Sequence, residues 1–104
     1  MTLLNAFSIN MLTSFPSQVT IDEISLEQAR ELALTGLVSA VGHTETACVF
    51  SDVLRVTIAT NRATIRLESG NTALVGQYVG PRLPEGTTTL PEGATIRWFR
   101  VTIK

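Results

Sequence analysis

A chain of 104 residues, 44% apolar and 16% charged, has the composition of one folded domain burying roughly 65% of its unfolded surface. The net charge of −1 disfavours a general nucleic-acid binder, which needs a basic face, but leaves room for a small anion gripped by a few arginines. The single Cys48 excludes an intrachain disulfide and a cysteine-based zinc site, and the lack of a signal-like or spanning apolar run makes a cytoplasmic protein the expectation.

In chain order, Leu3–Leu12 alternates enough to predict a strand, with Phe7, Ile9 and Met11 on one face and Ser8 and Asn10 on the other, Asn5 nearby. Phe15-Pro16-Ser17 is a turn, and Val19 and Ile21 suggest a short strand after it. Ser25 and Gln28 form a capping box that opens a helix through Leu26, Ala29, Leu32 and Ala33, with Gly36 placed to end it. Leu37–Val41 is short, apolar and bounded by glycines, which predicts a buried strand. Thr44 is then the expected cap of a second helix reaching about Leu54, with Ala47, Phe50 and Leu54 along one stripe and Cys48 in packing.

Thr64–Glu68 and Ala73–Tyr78 flank Ser69-Gly70-Asn71-Thr72 and predict a β-hairpin. Gly80–Gly93 reads as a long loop with three prolines, in which Leu-Pro-Glu-Gly occurs at 83–86 and again at 90–93, marking two tight turns. Ile96–Ile103 closes the chain as a strand, Ile96, Trp98 and Arg100 opposing Arg97, Phe99, Val101 and Ile103. Intermingled strands and helices with an antiparallel hairpin give an α+β class: a mixed sheet of about five strands with two packed helices, one domain over 1–104.

His43 is the only histidine. Histidine is the side-chain type whose ordinary titration falls near neutral pH, so it is the natural proton carrier. Its place in Gly42-His43-Thr44, between a strand and a helix, suits an anion, because a helix N-terminus offers free N–H groups and a positive dipole end. A turn histidine bonded to backbone is the plain alternative. Arg62 follows Asn61 before the expected hairpin, and Arg82 lies in Gly80-Pro81-Arg82-Leu83-Pro84-Glu85. Arg82 and Glu85, three apart in a proline-stiffened loop, either pair with each other or stand ready for a phosphate and a ribose hydroxyl. Gln77 interrupts an apolar run, and Ser8 and Asn10 are polar within another; each faces either solvent or a ligand. The nine acidic residues are scattered without metal-ligand spacing, and no P-loop, Rossmann or nucleophile-elbow motif is present.

Asn5-Ala6-Phe7-Ser8-Ile9-Asn10-Met11-Leu12, Ser39-Ala40-Val41-Gly42-His43, Asn61-Arg62 and Gly80-Pro81-Arg82-Leu83-Pro84-Glu85-Gly86, taken together and in order, resemble the small viral and bacterial ring nucleases of the type III anti-CRISPR family. The resemblance spans nearly the whole chain. It implies a homodimer that binds cyclic tetra-adenylate, the second messenger of type III CRISPR defence, and cleaves it without a metal or other cofactor, switching off the effector nucleases. It further implies His43 as the catalytic residue, and Asn5, Ser8, Asn10, Arg62, Gln77, Arg82 and Glu85 as substrate-binding residues. For a viral member the place of action would be the host-cell cytoplasm. Some viral members have a helix where this chain has the Thr87–Gly93 loop. Two other classes stay open on the residues: a module that sequesters a cyclic nucleotide and is indifferent to His43, and a regulatory viral protein touching DNA, which the net charge disfavours.

Overall fold

The computed structural model describes residues 1–104. Its elements are β1 (Thr2–Leu4), β2 (Val19–Ile24), α1 (Leu26–Leu34), β3 (Val38–Ser39), α2 (Thr44–Leu54), β4 (Thr72–Val79) and β5 (Thr95–Ile103), with a 3-10 turn at Ile9–Met11. The five strands form one mixed sheet in the order β2-β5-β4-β1-β3. β1 runs parallel to both β3 and β4, whereas β5 is antiparallel to β4 and to β2. The expected α+β class, with five strands and two helices, is what forms.

Both helices cover one face. Ser25 Oγ accepts the Gln28 N–H while Gln28 Oε1 accepts the Ser25 N–H, so the capping box opens α1 as expected. Gly36, at φ +94°, lies just past the last turn, where a left-handed residue is favoured. The buried residues of α1 are Ala29 and Ala33, and Arg30 Nε donates to the Val53 carbonyl at 3.0 Å, tying α1 to the end of α2. From α2, Ala47, Phe50 and Leu54 pack with Leu3, Val41, Leu74 and Trp98 in one core. The Phe50 and Trp98 rings lie 5.1 Å apart, tilted by 55°. Both press on Gly76 in the middle of β4, where a Cβ would stand 2.6 Å from Trp98 and 2.7 Å from Phe50. Only glycine leaves room for the two rings.

The opposite, helix-free face carries a second core, Leu4, Ala73, Val75, Val101 and Ile103, roofed at one end by Leu12 and Leu67. Glu23 and Arg97, aligned near the end of the β2–β5 ladder, form an ion pair at 2.8 Å, and Arg97 lies 5.1 Å above the Phe99 ring. The hydrogen bond from Arg97 holds the Glu23 carboxyl below its ordinary range and raises Arg97 in turn.

Three expectations give way. The strand expected over Leu3–Leu12 stops at Leu4, because Ser8 Oγ accepts the Asn10 N–H and starts a 3-10 turn; such local side-chain bonds compete with the sheet ladder. Thr64–Glu68 does not form a hairpin with β4: Ile65 and Leu67 lie on the helix-free face, and only Leu67 bridges to Leu12. The Ser69–Gly70 turn itself forms, with Asn71 and Glu68 bonded across it, but β4 pairs with β5 and β1 instead. Finally, the buried strand expected at Leu37–Val41 shrinks to the edge strand Val38–Ser39, whose Val38 is exposed, with burial beginning only at Ala40 and Val41; the helix after it is capped by His43, with Thr44 its first residue.

Candidate active site

The parallel strands decide where chemistry collects. β1, β3 and β4 point the same way, so the residues leaving their C-terminal ends line one edge of the sheet: Asn5 after β1, Gly42 and His43 after β3, and Gly80 to Arg82 after β4. In open sheets built on parallel strands, ligands settle at that edge.

His43 is exposed and extended, φ −123° and ψ 127°, and its carbonyl accepts the Ala47 N–H at 2.9 Å. Its side chain makes no capping bond, so the first N–H groups of α2 have no side-chain acceptor. A hollow of about 390 Å³ opens there, walled by His43, Glu45 and Thr46 from α2 and by Tyr78, Gly80, Arg82 and Leu83 from the end of β4. Arg82 stands across it from His43. The ion pair considered between Arg82 and Glu85 does not form; the one ion pair is Glu23–Arg97. Arg62 approaches the same corner from behind, its Nε donating to the Gly42 carbonyl at 3.4 Å. A methyl group at Gly42 would touch the Arg62 stem at 3.5 Å without clashing, so close packing does not demand glycine there.

The remaining candidates lie elsewhere. Ser8 and Asn10 share a second hollow of about 410 Å³ with Ala63–Arg66. Gln77 faces the helix-free side, in an apolar depression with Phe7, Ile21, Val75, Phe99 and Val101. Asn5 is half-buried at the end of β1, and Glu85 is exposed in the loop. That loop contains the two expected tight turns: the Thr87 N–H donates to the Pro84 carbonyl and the Ala94 N–H to the Pro91 carbonyl, both at 3.1 Å, with Gly86 and Gly93 at positive φ.

Sequence reasoning passed over Tyr78, Glu45, Thr46 and Arg66. Tyr78 reads as a strand end, yet its hydroxyl donates to the Pro81 carbonyl at 2.7 Å, and Gly80 is pressed between that hydroxyl and Ala94. The tyrosine thus fixes the peptide next to Arg82. Glu45 and Thr46 belong to the helical turn that follows the glycine-histidine pair, a signal visible in the sequence.

The imidazole of His43, the guanidinium of Arg82 and helix N–H groups without a side-chain cap thus gather with Glu45 at the carboxyl edge of a small α+β sheet. The chain belongs to the STIV B116-like family, whose model matches residues 1–96. It is similar in structure to B116 of Sulfolobus turreted icosahedral virus, at 30% identity and a TM-score of 0.82, over 97% of each chain. No curated protein sequence matches.

Proposed function

We propose that this chain is a ring nuclease: it binds cyclic tetra-adenylate as a homodimer and opens the ring by transesterification. The observation that carries the reading is the His43–Arg82 hollow, where a proton donor faces a guanidinium free of any ion pair. The resemblance of Asn5–Leu12, Ser39–His43 and Gly80–Gly86 to the type III anti-CRISPR ring nucleases supplies the substrate.

In the proposed step a ribose 2′-oxygen attacks the neighbouring phosphorus, forming a 2′-O–P bond, while the P–O5′ bond breaks. The 2′-hydroxyl proton passes to solvent, and His43 gives its proton to the departing 5′-oxygen. The products are linear adenylates with a 2′,3′-cyclic phosphate at one end and a 5′-hydroxyl at the other. General acid help of this kind contributes about 10²–10⁴-fold. Arg82, Arg62 and the α2 N–H groups oppose the charge that builds on the phosphoryl oxygens. Ser8 and Asn10 hold the ring from the helix-free side, with Asn5, Gln77 and Glu85 as further contacts.

A two-fold ring asks for a two-fold receptor. The surface supports one: 6313 Å² is accessible, whereas a monomer of this mass exposes about 5,700 Å². The helix-free face leaves Ile21 at 56% exposure, beside Phe7, Val75 and Phe99, with Gln77 and the Glu23–Arg97 pair next to them. An apolar centre with a polar rim is the anatomy of a subunit interface. The lowering of messenger level inside an infected host is the role this activity would serve.

The test is incubation with cyclic tetra-adenylate in EDTA, followed by mass analysis. Linear products ending in 2′,3′-cyclic phosphate are expected. An intact ring bound at stoichiometric amounts would instead make the chain a sequestering protein, and no binding would remove the proposal.

A further inference from the structure

Arg66 is a cation the ring-nuclease reading does not use, and the hollow it shares with Ser8 and Asn10 is built rather than incidental. Its Nη1 donates to the Asn10 carbonyl at 2.9 Å. The next residue, Leu67, is buried, and its N–H donates to the Met11 carbonyl at 2.6 Å, so the chain is pinned on both sides of the hollow. The 3-10 turn opposite is held by its own bonds, Met11 N–H to the Ser8 carbonyl and Leu12 N–H to the Ile9 carbonyl, both at 3.0 Å. A guanidinium has five donors, and one is spent on Asn10.

Charge gives the hollow its direction. No acidic side chain lines it, and Arg66 takes part in no ion pair. The other neighbours offer hydroxyls and an amide: Ser8, Asn10 and Thr64. A fixed, uncompensated guanidinium among neutral hydrogen-bonding groups is a receptor for a phosphodiester. Distance connects it to the first site. Arg62 lies on Gly42 at the His43 corner, and only three residues stand between it and Arg66, so their Cα atoms are at most about 14 Å apart, a spacing on the scale of a small oligonucleotide.

The geometry points to Arg66 as a further phosphodiester-binding residue beside Ser8 and Asn10, making with them a subsite that grips a linkage of the oligoadenylate other than the one being cut. The assignment rests on the ring-nuclease reading for the identity of its ligand. Arg66 is here a binding residue with no part in proton transfer.

The test uses the full-length H43A chain, so that the ring stays intact, and the further variants R66Q and R66K in that background. Each is titrated with cyclic tetra-adenylate by calorimetry at several KCl concentrations. Gln keeps a donor for the Asn10 carbonyl but removes the charge; Lys keeps both. The R66Q chain should bind about ten- to a hundredfold more weakly. Its plot of log affinity against log salt should be shallower by about 0.7 for each phosphate that Arg66 neutralises in the parent. R66K should restore most of both. Unchanged affinity and slope in R66Q overturn the subsite while leaving the ring-nuclease reading intact. If the H43A parent binds no ring, that reading fails, and linear tetra-adenylate takes the place of the ring: a slope that falls in R66Q supports the subsite, and an equal slope or no binding overturns it.

Discussion

His43 and Tyr78 show how single side chains set up the corner. The histidine caps α2 with its backbone alone, which leaves the imidazole free over the hollow instead of engaged with its own helix. Tyr78 works at one remove, its hydroxyl holding the Pro81 carbonyl beside Arg82. One hydrogen bond of this kind contributes about 0.5–1.5 kcal/mol. Y78F should therefore stay folded yet bind cyclic tetra-adenylate about two- to tenfold more weakly, because Arg82 loses its anchor. Calorimetric titration checks this, and equal affinity would show that the loop holds Arg82 without the tyrosine.

At the scale of elements, the sheet is organised around a missing side chain. Gly76 lets Phe50 and Trp98 meet over β4, so G76A forces a methyl group to within 2.7 Å of both rings. Overpacking of this kind costs about 1–3 kcal/mol, and a thermal melt should fall by about 4 °C or more; an unchanged melt would mean the rings have space to withdraw. The role of Gly76 was invisible in the sequence, where the interruption of the apolar run is read at Gln77 instead. The helices were legible because their signals are local: Ser25 with Gln28, and the Ala47–Phe50–Leu54 stripe. Ile65 and Leu67 misled because lying on a sheet and joining it produce the same alternation. Residues 5–12 misled because a partial alternation does not reveal that the Ser8 hydroxyl takes the Asn10 N–H and turns the chain. The site was legible in parts. Gly42-His43 and Arg82 do converge, but nothing in the sequence said that Ser8 and Asn10 would sit in a hollow of their own with Arg66.

The whole molecule has one finished face and one open one. Helices seal Leu74 and Trp98 on the first, whereas the second leaves Ile21, Phe7 and Phe99 in a depression of about 280 Å³. The fold has no helix long and apolar enough to cross a membrane. If a second copy covers that face, I21E should leave the monomer folded, since Ile21 is already exposed, and should abolish association. Sedimentation equilibrium is expected to give a dimer for the parent chain and a monomer for I21E. A monomeric parent, or an I21E chain that remains dimeric, would place the interface elsewhere or remove it.

In the proposed reaction His43 gives its proton to the departing 5′-oxygen, and a single-turnover comparison reads that step directly. With enzyme in excess over labelled cyclic tetra-adenylate, H43A should bind the ring as tightly as the parent chain while cleaving it at least about a hundredfold more slowly. Cleavage by H43A at the parent rate would contradict the assignment of His43 as the acid.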